Sequence, residues 1–349
     1  MAGRSDGTVA SVFDVALLAK VSVATASRVL SGSEYPVRPK TRDRVLEAAK
    51  ALSYSPNALA KAMVTGRTRI VGVIVGDATD PYFAAIVRGI EDVARQQGYL
   101  VVVCNSDRIP EIELRYLRAL NDYRVDGLIF AGGGLTDDAY LREIRGAIEV
   151  FRSRGAACVA LAPHLFASYR VLIDNEQVVR DAVQYLHAQG HRRIAFLSGP
   201  PLLTTTGLRL AGYRAASAEL GLAEEPGYVL QGDYAFEGGL RAARAFHGLR
   251  PPPTSLLASN DMMAMGAIVG LRQLGYRIPE DVSVMGIDDI PTAIAVHPAL
   301  TTVAIPLHEL GATGMESLLR LRAGELSADE RVTLPHRIIV RDSVRALHR

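Results

Sequence analysis

Polar and aromatic side chains follow the ends of several apolar, β-branched segments, where a strand would give way to a loop. Carboxylates and amides at such places exchange hydrogen bonds with sugar hydroxyls, aromatic faces cover apolar ring faces, and arginine offers a planar fork. Ligands of open α/β sheets bind beyond the carboxyl ends of the strands, so these side chains predict a pocket for a small polar molecule. The candidate residues are Tyr82, Phe83, Asp174, Thr205, Arg209, Tyr234, Asn260 and Asp288.

Some of these positions also have a structural explanation. Asp174 can cap a helix that begins near residue 175. Asp261, the residue after Asn260, can cap a helix that begins at residue 262. For both residues we keep capping and ligand binding open. Phe83 can instead belong to the core, whereas Arg209 has few acidic neighbours in the sequence, which favours a binding role.

The main alternative is an enzyme on the same kind of sheet, and its sequence signals are missing. The chain has neither a phosphate-binding Gly-x-x-x-x-Gly-Lys-Ser/Thr loop nor a Gly-x-Ser-x-Gly nucleophile elbow. The glycine run 132–134 lacks the third glycine of a dinucleotide fingerprint, so we interpret it as a flexible loop. The eight histidines show no metal-ligand spacing, and Cys104 and Cys158 lie in apolar runs typical of buried thiols. We therefore predict no catalytic residue, no cofactor and no metal.

From residue 70 onward, short β-branched segments alternate with longer amphipathic ones, which predicts open parallel sheets with helices between the strands. Two series of this kind follow each other, so we predict two doubly wound lobes with a cleft between them. The predicted strands are 70–75, 100–104, 127–131 and 157–161 in the first lobe, and 193–197, 228–230, 255–258 and 282–286 in the second.

The N-terminal region predicts three short helices and no strand. Ser11 and Asp14 have the spacing of a capping box, and Phe13 and Val15 begin a predicted buried face of the first helix. A tight turn then leads to a second helix that buries Leu30, among others, and a third helix near residue 39 includes Leu46 in its buried stripe. The first two helices fit a helix-turn-helix, whose second helix enters the DNA major groove. Its candidate DNA-binding residues are Ser22, Val23, Ala24, Thr25, Ser27 and Arg28.

Charge is unevenly distributed, although the net charge is only +2. Residues 1–66 hold nine basic and five acidic residues, so this region carries +4 and the rest of the chain −2. A basic N-terminal region on a slightly acidic body indicates a polyanion-binding module joined to a unit with another task. No apolar run approaches the ~20 residues that span a bilayer, and residues 1–10 lack the apolar core of a signal peptide. We therefore expect a cytoplasmic protein.

The chain resembles the lactose-repressor (LacI-type) family of bacterial transcription regulators along most of its length. At the N-terminus the resemblance lies in Asp14-Val15-Ala16, in Ala19-x-Val21-Ser22-x-x-Thr25-x-Ser27-Arg28-Val29-Leu30, and in Tyr54-Ser55-Pro56-Asn57-Ala58-Leu59-Ala60. Further motifs are Leu208-Arg209-Leu210-Ala211-Gly212-Tyr213, Ala258-Ser259-Asn260-Asp261 and Val284-Met285-Gly286-Ile287-Asp288-Asp289. The resemblance implies a DNA-binding domain at 1–54, a hinge at 55–68 and a periplasmic-binding-protein-like effector core at 69–349.

The resemblance also implies partners. A homodimer would bind an inverted-repeat operator, and a sugar or related metabolite between the lobes would control that binding, usually as repression. Asn57, Ala60 and Met63 would contact DNA from the hinge, with Met63 wedged into the minor groove where leucine is usual. The alternative for Met63 is a plain linker residue, and a rival for the whole chain is a secreted sugar-binding protein with the same lobes.

The resemblance also implies a path for the chain, and this sequence departs from the family pattern at several positions. The chain is expected to return to the first lobe near residue 290, to pack a helix at 308–321 there, and to enter the second lobe again from 332. Lys20 replaces a glycine that is usual in the turn, Val178 replaces another, and Ala162-Pro163 stands where some sugar-responsive relatives have an acidic residue. These departures concern the effector and the turn more than the architecture.

Overall fold

The computed structural model describes residues 10–31, 35–54, 67–166, 168–222 and 225–347. The chain divides into two compact units, Met1–Thr68 and Arg69–Arg349, which we call the head and the core. The predicted hinge contacts Asn57, Ala60 and Met63 lie outside the described residues.

The described part of the head contains three helices, α1 (Val12–Leu18), α2 (Val23–Ser31) and α3 (Pro39–Ala51). The predicted capping box at the start of α1 is confirmed: the Asp14 amide donates to Ser11 Oγ, and the Ser11 amide donates to Asp14 Oδ2 over 2.9 Å. The α3 helix starts at Pro39 as predicted, and Arg38 provides no side-chain cap.

The head has a small core, and three predicted members of it are wrong or only half-buried. Val15, Val29 and Val45 are buried, but Phe13 is 67% exposed, Leu46 is 49% exposed and Leu30 is half-buried. Positions 13 and 15 lie roughly 200° apart on a helix, so both cannot face the same side. Each of the three short helices has one narrow apolar stripe that faces the core of the head. Side chains beside that stripe remain in solvent.

The core begins as a strand–helix alternation because its apolar runs are continuous, as expected for parallel strands covered on both faces. Its elements up to the first crossing are β1 (Ile70–Val75), α4 (Pro81–Gln96), β2 (Leu100–Asn105), α5 (Pro110–Asp122), β3 (Gly127–Phe130), α6 (Asp138–Ser153), β4 (Ala157–Ala160) and β5 (Tyr169–Ile173). The second series is α7 (Asn175–Ala188), β6 (Ile194–Ser198), α8 (Thr204–Glu219), β7 (Val229–Gln231), α9 (Phe236–Gly248), β8 (Ser255–Ala258), α10 (Asp261–Gln273), β9 (Ser283–Asp288), a 3-10 turn (Pro291–Ile294) and β10 (Thr301–Ala304). The last elements are α11 (Leu307–Arg322), β11 (Arg331–Leu334) and β12 (Arg337–Ile339).

These elements form two lobes, each built on a six-stranded sheet. The N-lobe sheet has the order β11-β5-β4-β3-β1-β2, and all of its pairings are parallel. The C-lobe sheet has the order β12-β10-β9-β8-β6-β7 and is parallel except for the edge strand β12. The predicted fold class, a helical head with a core of two doubly wound parallel-sheet lobes, is confirmed.

The path between the lobes differs from the expected one. Residues 301–304 pair with β9 in the C-lobe, so the chain returns to the N-lobe after Ala304 rather than near residue 290. Thr301 and Thr302 make this strand polar in the sequence, although both side chains are buried. The Thr302 hydroxyl donates to Asp261 Oδ1 over 2.6 Å. Residues 331–334 pair with β5 in the N-lobe, so the chain enters the C-lobe at β12 rather than at residue 332. The residues after β12 stay there, with the Ser343 hydroxyl bonded to the Val284 carbonyl.

The returning helix α11 packs closely on α4, as the expected placement of residues 308–321 on the first lobe requires. A Cβ at Gly89 would lie 2.0 Å from the His308 carbonyl oxygen, and one at Gly311 would lie 2.0 Å from that of Ile86. Only glycine permits this approach of the two helix backbones. The contact fastens a late segment of the chain to the first lobe.

Candidate ligand cleft and candidate DNA-binding surface

A cleft of about 440 Å³ lies between the two lobes, with walls from loops that follow the carboxyl ends of strands in both sheets. Seven of the eight predicted ligand-binding residues line it, and Asp174 does not. The lining residues are Asp80, Tyr82, Phe83, Arg108, Gly132, Gly133, Leu203, Thr205, Arg209, Tyr234, Asn260 and Asp288.

Asp174 is exposed and caps α7, because its Oδ1 accepts a hydrogen bond from the Gln177 amide over 3.0 Å. The structure therefore favours the capping alternative for this residue. Its neighbour Asn175, which the sequence did not single out, is buried and accepts a 2.8 Å hydrogen bond from Arg209 Nε. The signal for Asn175 was its place after β5, which it shares with Asp174.

Arg209 is the most firmly held side chain of the cleft, with 4% of its surface exposed. Besides the bond to Asn175, its Nη1 donates to the carbonyl oxygen of Ser259, and its Nη2 lies 3.6 Å from Asp288 Oδ1. These contacts fix the guanidinium plane before any ligand binds. A planar donor fork that is already oriented loses little conformational freedom on binding.

Asp288 presents an unused acceptor to the cleft. It ends β9, is 3% exposed, and its Oδ1 has no hydrogen-bond partner among the described residues, since 3.6 Å to Arg209 is too long. Burial raises the pKa of Asp288 well above its usual range, against the opposing effect of Arg209. A buried polar atom without a partner is costly, so a ligand hydroxyl or amine that bonds Oδ1 gains affinity.

The backbone at this point is strained and held from several sides. Asp288 has a φ of 124° and Asp289 a φ of 59°, both in the region that favours glycine. Arg341 Nη2 donates to Asp289 Oδ1 over 2.6 Å, and the Ile290 amide donates to Asp261 Oδ2 over 3.0 Å. The cap of α10 is Asn260, and Asp261 does not line the cleft, so neither alternative kept open for Asp261 holds. Its carboxylate accepts from the Ile290 amide and the Thr302 hydroxyl instead. Residues held in strained conformations cluster at ligand sites.

Asn260 caps α10 and positions an aromatic residue at once. Its Oδ1 accepts from the Met263 amide over 3.0 Å, while its Nδ2 donates to the Tyr234 carbonyl over 2.9 Å. Tyr234 has a φ of 67°, and its hydroxyl lies 3.0 Å from Thr206 Oγ1. The Tyr234 ring is thus fixed by both its backbone and its hydroxyl.

Tyr82 and Phe83 form the aromatic wall on the N-lobe side. Their rings are 5.0 Å apart and nearly perpendicular, at 89°. Asp80 caps α4 by accepting from the Tyr82 amide over 2.9 Å, which places both rings on the first turn. Phe83 is 4% exposed, so it belongs to the core and to the cleft lining together.

Direct hydrogen bonds join the lobes beside the cleft. The Thr204 amide donates to the Gly134 carbonyl over 2.8 Å, and the Thr136 amide donates to the Leu202 carbonyl over 2.9 Å. A Cβ at Gly133 would lie 2.6 Å from Thr205 Oγ1. This close contact gives the glycine run 132–134 a packing role between the lobes that its interpretation as a flexible loop does not include.

A second, small compartment adjoins the cleft at the carboxyl edge of the N-lobe sheet. It shares Arg108 and the glycine loop 132–133 with the cleft, and Glu113 and His164 also line it. Burial raises the pKa of Glu113 to about 7 and lowers the pKa of His164 to about 4. The sequence analysis missed Arg108, although it follows β2 just as other cleft residues follow their strands.

The predicted DNA-binding residues lie at the start of α2 and along its outer side. Ser22, Ala24, Ser27 and Arg28 are exposed, whereas Val23 and Thr25 are half-buried. The Thr25 amide donates to Ser22 Oγ over 3.1 Å, and the two hydroxyls lie 2.8 Å apart, so Ser22 caps α2 as well as being exposed. The Arg28 guanidinium lies 4.1 Å above the centre of the Tyr35 ring, so its direction is set before any contact with DNA.

The turn between α1 and α2 is unusual. Lys20 has a φ of 52°, a conformation that costs a residue with a Cβ roughly 1–2 kcal/mol relative to glycine. Glycine would adopt this turn without that cost. The lysine instead adds an exposed cation beside the α2 N-terminus.

The described residues contain neither a membrane-spanning helix nor a cluster of metal ligands. No helix in that part of the chain is long and apolar enough to cross a membrane. No group of three or more histidine, cysteine, aspartate or glutamate residues there could hold a metal ion.

Comparisons with known proteins agree with this architecture. Residues 11–57 match the model of the bacterial regulatory proteins of the lacI family, and residues 183–344 match that of the periplasmic binding protein-like domain. The transcriptional repressor CytR of Escherichia coli K12 is 35% identical over 99% of this chain and 100% of its own length.

Two solved structures extend the comparison. A lac repressor dimer bound to operator and the anti-inducer ONPF superimposes with a TM-score of 0.86 at 27% identity, over 97% of this chain and 100% of that one. A complex of the transcriptional regulator CelR with cellobiose gives a TM-score of 0.71 at 31% identity, over 96% and 99% of the two chains.

A helix-turn-helix head followed by a two-lobed core with a ligand cleft defines a DNA-binding transcription regulator. The chain belongs to the LacI family of bacterial regulatory proteins. Its relatives are regulators rather than enzymes, which confirms the prediction that this chain is not an enzyme.

Proposed function

We propose that this protein is a homodimeric repressor that binds an inverted-repeat operator, and that a sugar or related metabolite in the cleft controls its operator affinity. The observation that carries this proposal is the cleft itself, because its walls come from both lobes and meet at direct hydrogen bonds. A ligand in such a place stabilises one arrangement of the lobes over others. Differential affinity for two arrangements is what any effector must have.

Each cleft residue has a role in this proposal. Asp288 accepts a hydrogen bond from the ligand through its free Oδ1, and Arg209 donates from the guanidinium group that Asn175 and Ser259 hold in place. Thr205 and Asn260 supply further polar contacts. Tyr82, Phe83 and Tyr234 cover the apolar face of a ring.

On the DNA side, the exposed residues of α2 would reach base edges in the major groove. Ser22, Val23, Ala24, Thr25 and Ser27 are small, so they restrict sequence less than Arg28, which can bond guanine bidentately. Asn57, Ala60 and Met63 would contact DNA from the hinge. A two-fold protein needs a two-fold site, from which we infer the inverted repeat.

The relatives agree with this choice. CytR and the lac repressor are repressors, the latter a dimer on its operator, and CelR was solved with a disaccharide. A regulator that acts on bacterial DNA works in the cytoplasm, which is where we place this protein. Whether its ligand induces or co-represses depends on which lobe arrangement favours the operator.

Selection from random duplexes tests the DNA half of the proposal. The purified full chain should enrich palindromic sequences from a random library, and the enriched duplex should bind far more tightly than a shuffled one. A thermal-shift screen of sugars, sugar acids, nucleosides and purine bases then tests the ligand half, since a ligand of the folded state raises the melting temperature. A protein that binds a metabolite but enriches no palindrome would be a binding protein without an operator role.

A further inference from the structure

Arg108 is a cation that projects into the binding region without a direct ion pair to any described residue. It is half-buried, it lines both the cleft and the adjoining compartment, and none of the described residues forms an ion pair with it. Its guanidinium carbon lies 5.8 Å from the ring centres of both Phe83 and Tyr234, so it faces the space between the lobes. Because no described carboxylate forms an ion pair with this guanidinium group, the group can still donate hydrogen bonds to an anionic ligand.

The loop that carries Arg108 is ordered around it. The Arg108 amide donates to Ser106 Oγ over 3.4 Å, and that hydroxyl donates to the Val75 carbonyl over 3.0 Å. A Cβ at Gly76 would lie 3.0 Å from Arg108 Nε, so glycine there makes room for the arginine side chain. Arg108 itself has a φ of 59°, a strained backbone conformation that the surrounding loop must hold in place.

Acidic groups near Arg108 are already engaged. Asp77 accepts from the amide and the hydroxyl of Thr79 over 2.9 and 2.6 Å, and Asp80 caps α4. Glu113 lines the same compartment, but it accepts a hydrogen bond from the Tyr140 hydroxyl, and burial raises its pKa to about 7. Burial also raises the pKa of Asp80. The hydrogen bond from the Thr79 hydroxyl lowers the pKa of Asp77, with a smaller contribution from Arg108, and Arg108 opposes the raised pKa of Asp80. Both carboxylates therefore interact with Arg108 electrostatically without forming an ion pair.

The cleft and the adjoining compartment therefore favour different chemical groups of a ligand. The cleft offers acceptors and donors for hydroxyl groups, with the free Oδ1 of Asp288 among them. The adjoining compartment offers a cation beside a close-packed glycine loop. We propose that the effector is a polyhydroxylated anion, with its hydroxyl-bearing part against Asp288 and Asn260 and a carboxylate or phosphate group on Arg108. This inference rests on the effector role proposed for the cleft.

Matched neutral and anionic ligands test it on the full-length protein. The pairs are glucose with glucuronate and with glucose 6-phosphate, and ribose with ribose 5-phosphate, with inorganic phosphate as the minimal anion. Affinities are measured by calorimetry and melting temperatures by thermal shift, at one ionic strength set with sodium chloride. At least one anion should bind about tenfold or more tightly than its neutral counterpart. Comparing carboxylate with phosphate ligands identifies which group Arg108 accepts.

Variants assign the effect to Arg108. R108Q should weaken anion binding roughly 10- to 100-fold, the usual effect of a lost hydrogen bond to a charged group, and R108K should retain part of the preference. The control is R118Q, because Arg118 is exposed and pairs with Glu143 outside both compartments. It should bind the anions as the unchanged protein does.

Three results would overturn the inference: neutral sugars that bind as tightly as their anions, no melting shift with any anion including phosphate, or equal anion affinity in R108Q and R118Q. The first two come from the unchanged protein and do not depend on how R108Q folds. A neutral sugar that alters operator affinity would leave the proposed function intact while overturning the anion. Absence of any palindrome preference would overturn the proposed function whatever the anions do.

Discussion

The hydroxyl of Thr204 donates a 2.6 Å hydrogen bond to the carbonyl oxygen of Pro163, which ties the first residue of α8 in the C-lobe to the loop after β4 in the N-lobe. The Thr204 amide makes a second bond across the lobes to Gly134. Thr204 therefore joins the lobes through two hydrogen bonds beside the ligand cleft. Its hydroxyl can be removed without changing the shape of the side chain greatly.

T204V should weaken effector binding about fivefold. The substitution removes the inter-lobe hydrogen bond and leaves the Pro163 carbonyl without that partner, a loss of about 1 kcal/mol for a typical bond. Calorimetry with the ligand found in the screen measures the change. T204S keeps the hydroxyl and is the control, so equal losses in both variants would mean that the hydroxyl does not stabilise the ligand-bound arrangement.

R209A should abolish the response to the effector and leave operator binding within about threefold of the unchanged protein. Its loss removes the buried donors to Asn175, Ser259 and the cleft, while the head is a separate compact unit. Anisotropy titrations of labelled operator with and without ligand provide the measurement. R244A, an exposed arginine of α9, is the control and should respond normally. A full response in R209A would remove this arginine from the site.

The contribution of Glu113 to the stability of the core should fall as pH rises from about 4.5 to about 7, and E113Q should remove that contribution. Glu113 has its pKa raised to about 7 by burial, so the folded state holds a proton that the unfolded state has already released. Its stabilising effect is complete below pH 4.5 and is lost as pH passes through 7, which amounts to roughly 3 kcal/mol. Asp261 and Asp288, whose pKa values are raised, add to this slope, and His164 and His191, whose pKa values burial lowers to about 4, oppose it. Both effects are common to the unchanged protein and E113Q.

Urea unfolding of both proteins at several pH values measures this slope. The stability of E113Q relative to the unchanged protein should rise by roughly 3 kcal/mol between about pH 4.5 and about pH 8, since glutamine keeps an acceptor for the Tyr140 hydroxyl. Parallel curves for the two proteins would show that Glu113 does not titrate in this window.

K20G should stabilise the head by about 1 kcal/mol, because glycine adopts the φ of 52° at this turn without a Cβ penalty. Amide hydrogen exchange in α1 and α2 of the full chain measures it. The same substitution at Lys50, inside α3, should have the opposite sign, by about 1 kcal/mol. Slower exchange in K50G, or faster exchange in K20G, would contradict the strain at Lys20.

R28A should weaken operator binding about tenfold and leave the effector affinity of the free protein unchanged. An arginine bonded to a base or a phosphate contributes ~1–3 kcal/mol, and loss of a phosphate contact also lowers the salt slope by about one. Titrations between about 50 and 200 mM salt distinguish a base contact from a phosphate contact. Operator affinity is expected to change strongly over this roughly fourfold interval of salt concentration. Unchanged operator affinity would remove Arg28 from the DNA contact.

The sequence was informative where one physical requirement dominates a segment. Parallel strands buried on both faces leave continuous apolar runs, so β1, β3, β8 and β9 could be predicted from the sequence alone. The strand β10 could not, because Thr301 and Thr302 satisfy their hydroxyls by tertiary partners such as Asp261 that no local pattern reveals.

The site shows the same division. Arg209 and Asp288 could be predicted from motifs and from their places after strands, but Asn175 could not be separated from Asp174, since either side chain can cap a helix or bind a ligand. The folded chain separates them, exposing Asp174 and burying Asn175 against Arg209. Arg108 was missed because it lies in a polar loop where one more charge gives no signal.

Reciprocal linkage tests the central claim, that the cleft and the DNA-binding head are coupled. The measurement is the affinity of the full chain for its effector, by calorimetry, with and without saturating palindromic operator. Coupling requires that operator change effector affinity by the same factor by which effector changes operator affinity, and ~5- to 150-fold is the usual range. We predict equal factors of at least about fivefold in the two directions. Identical effector affinity in the free and operator-bound protein would contradict the account.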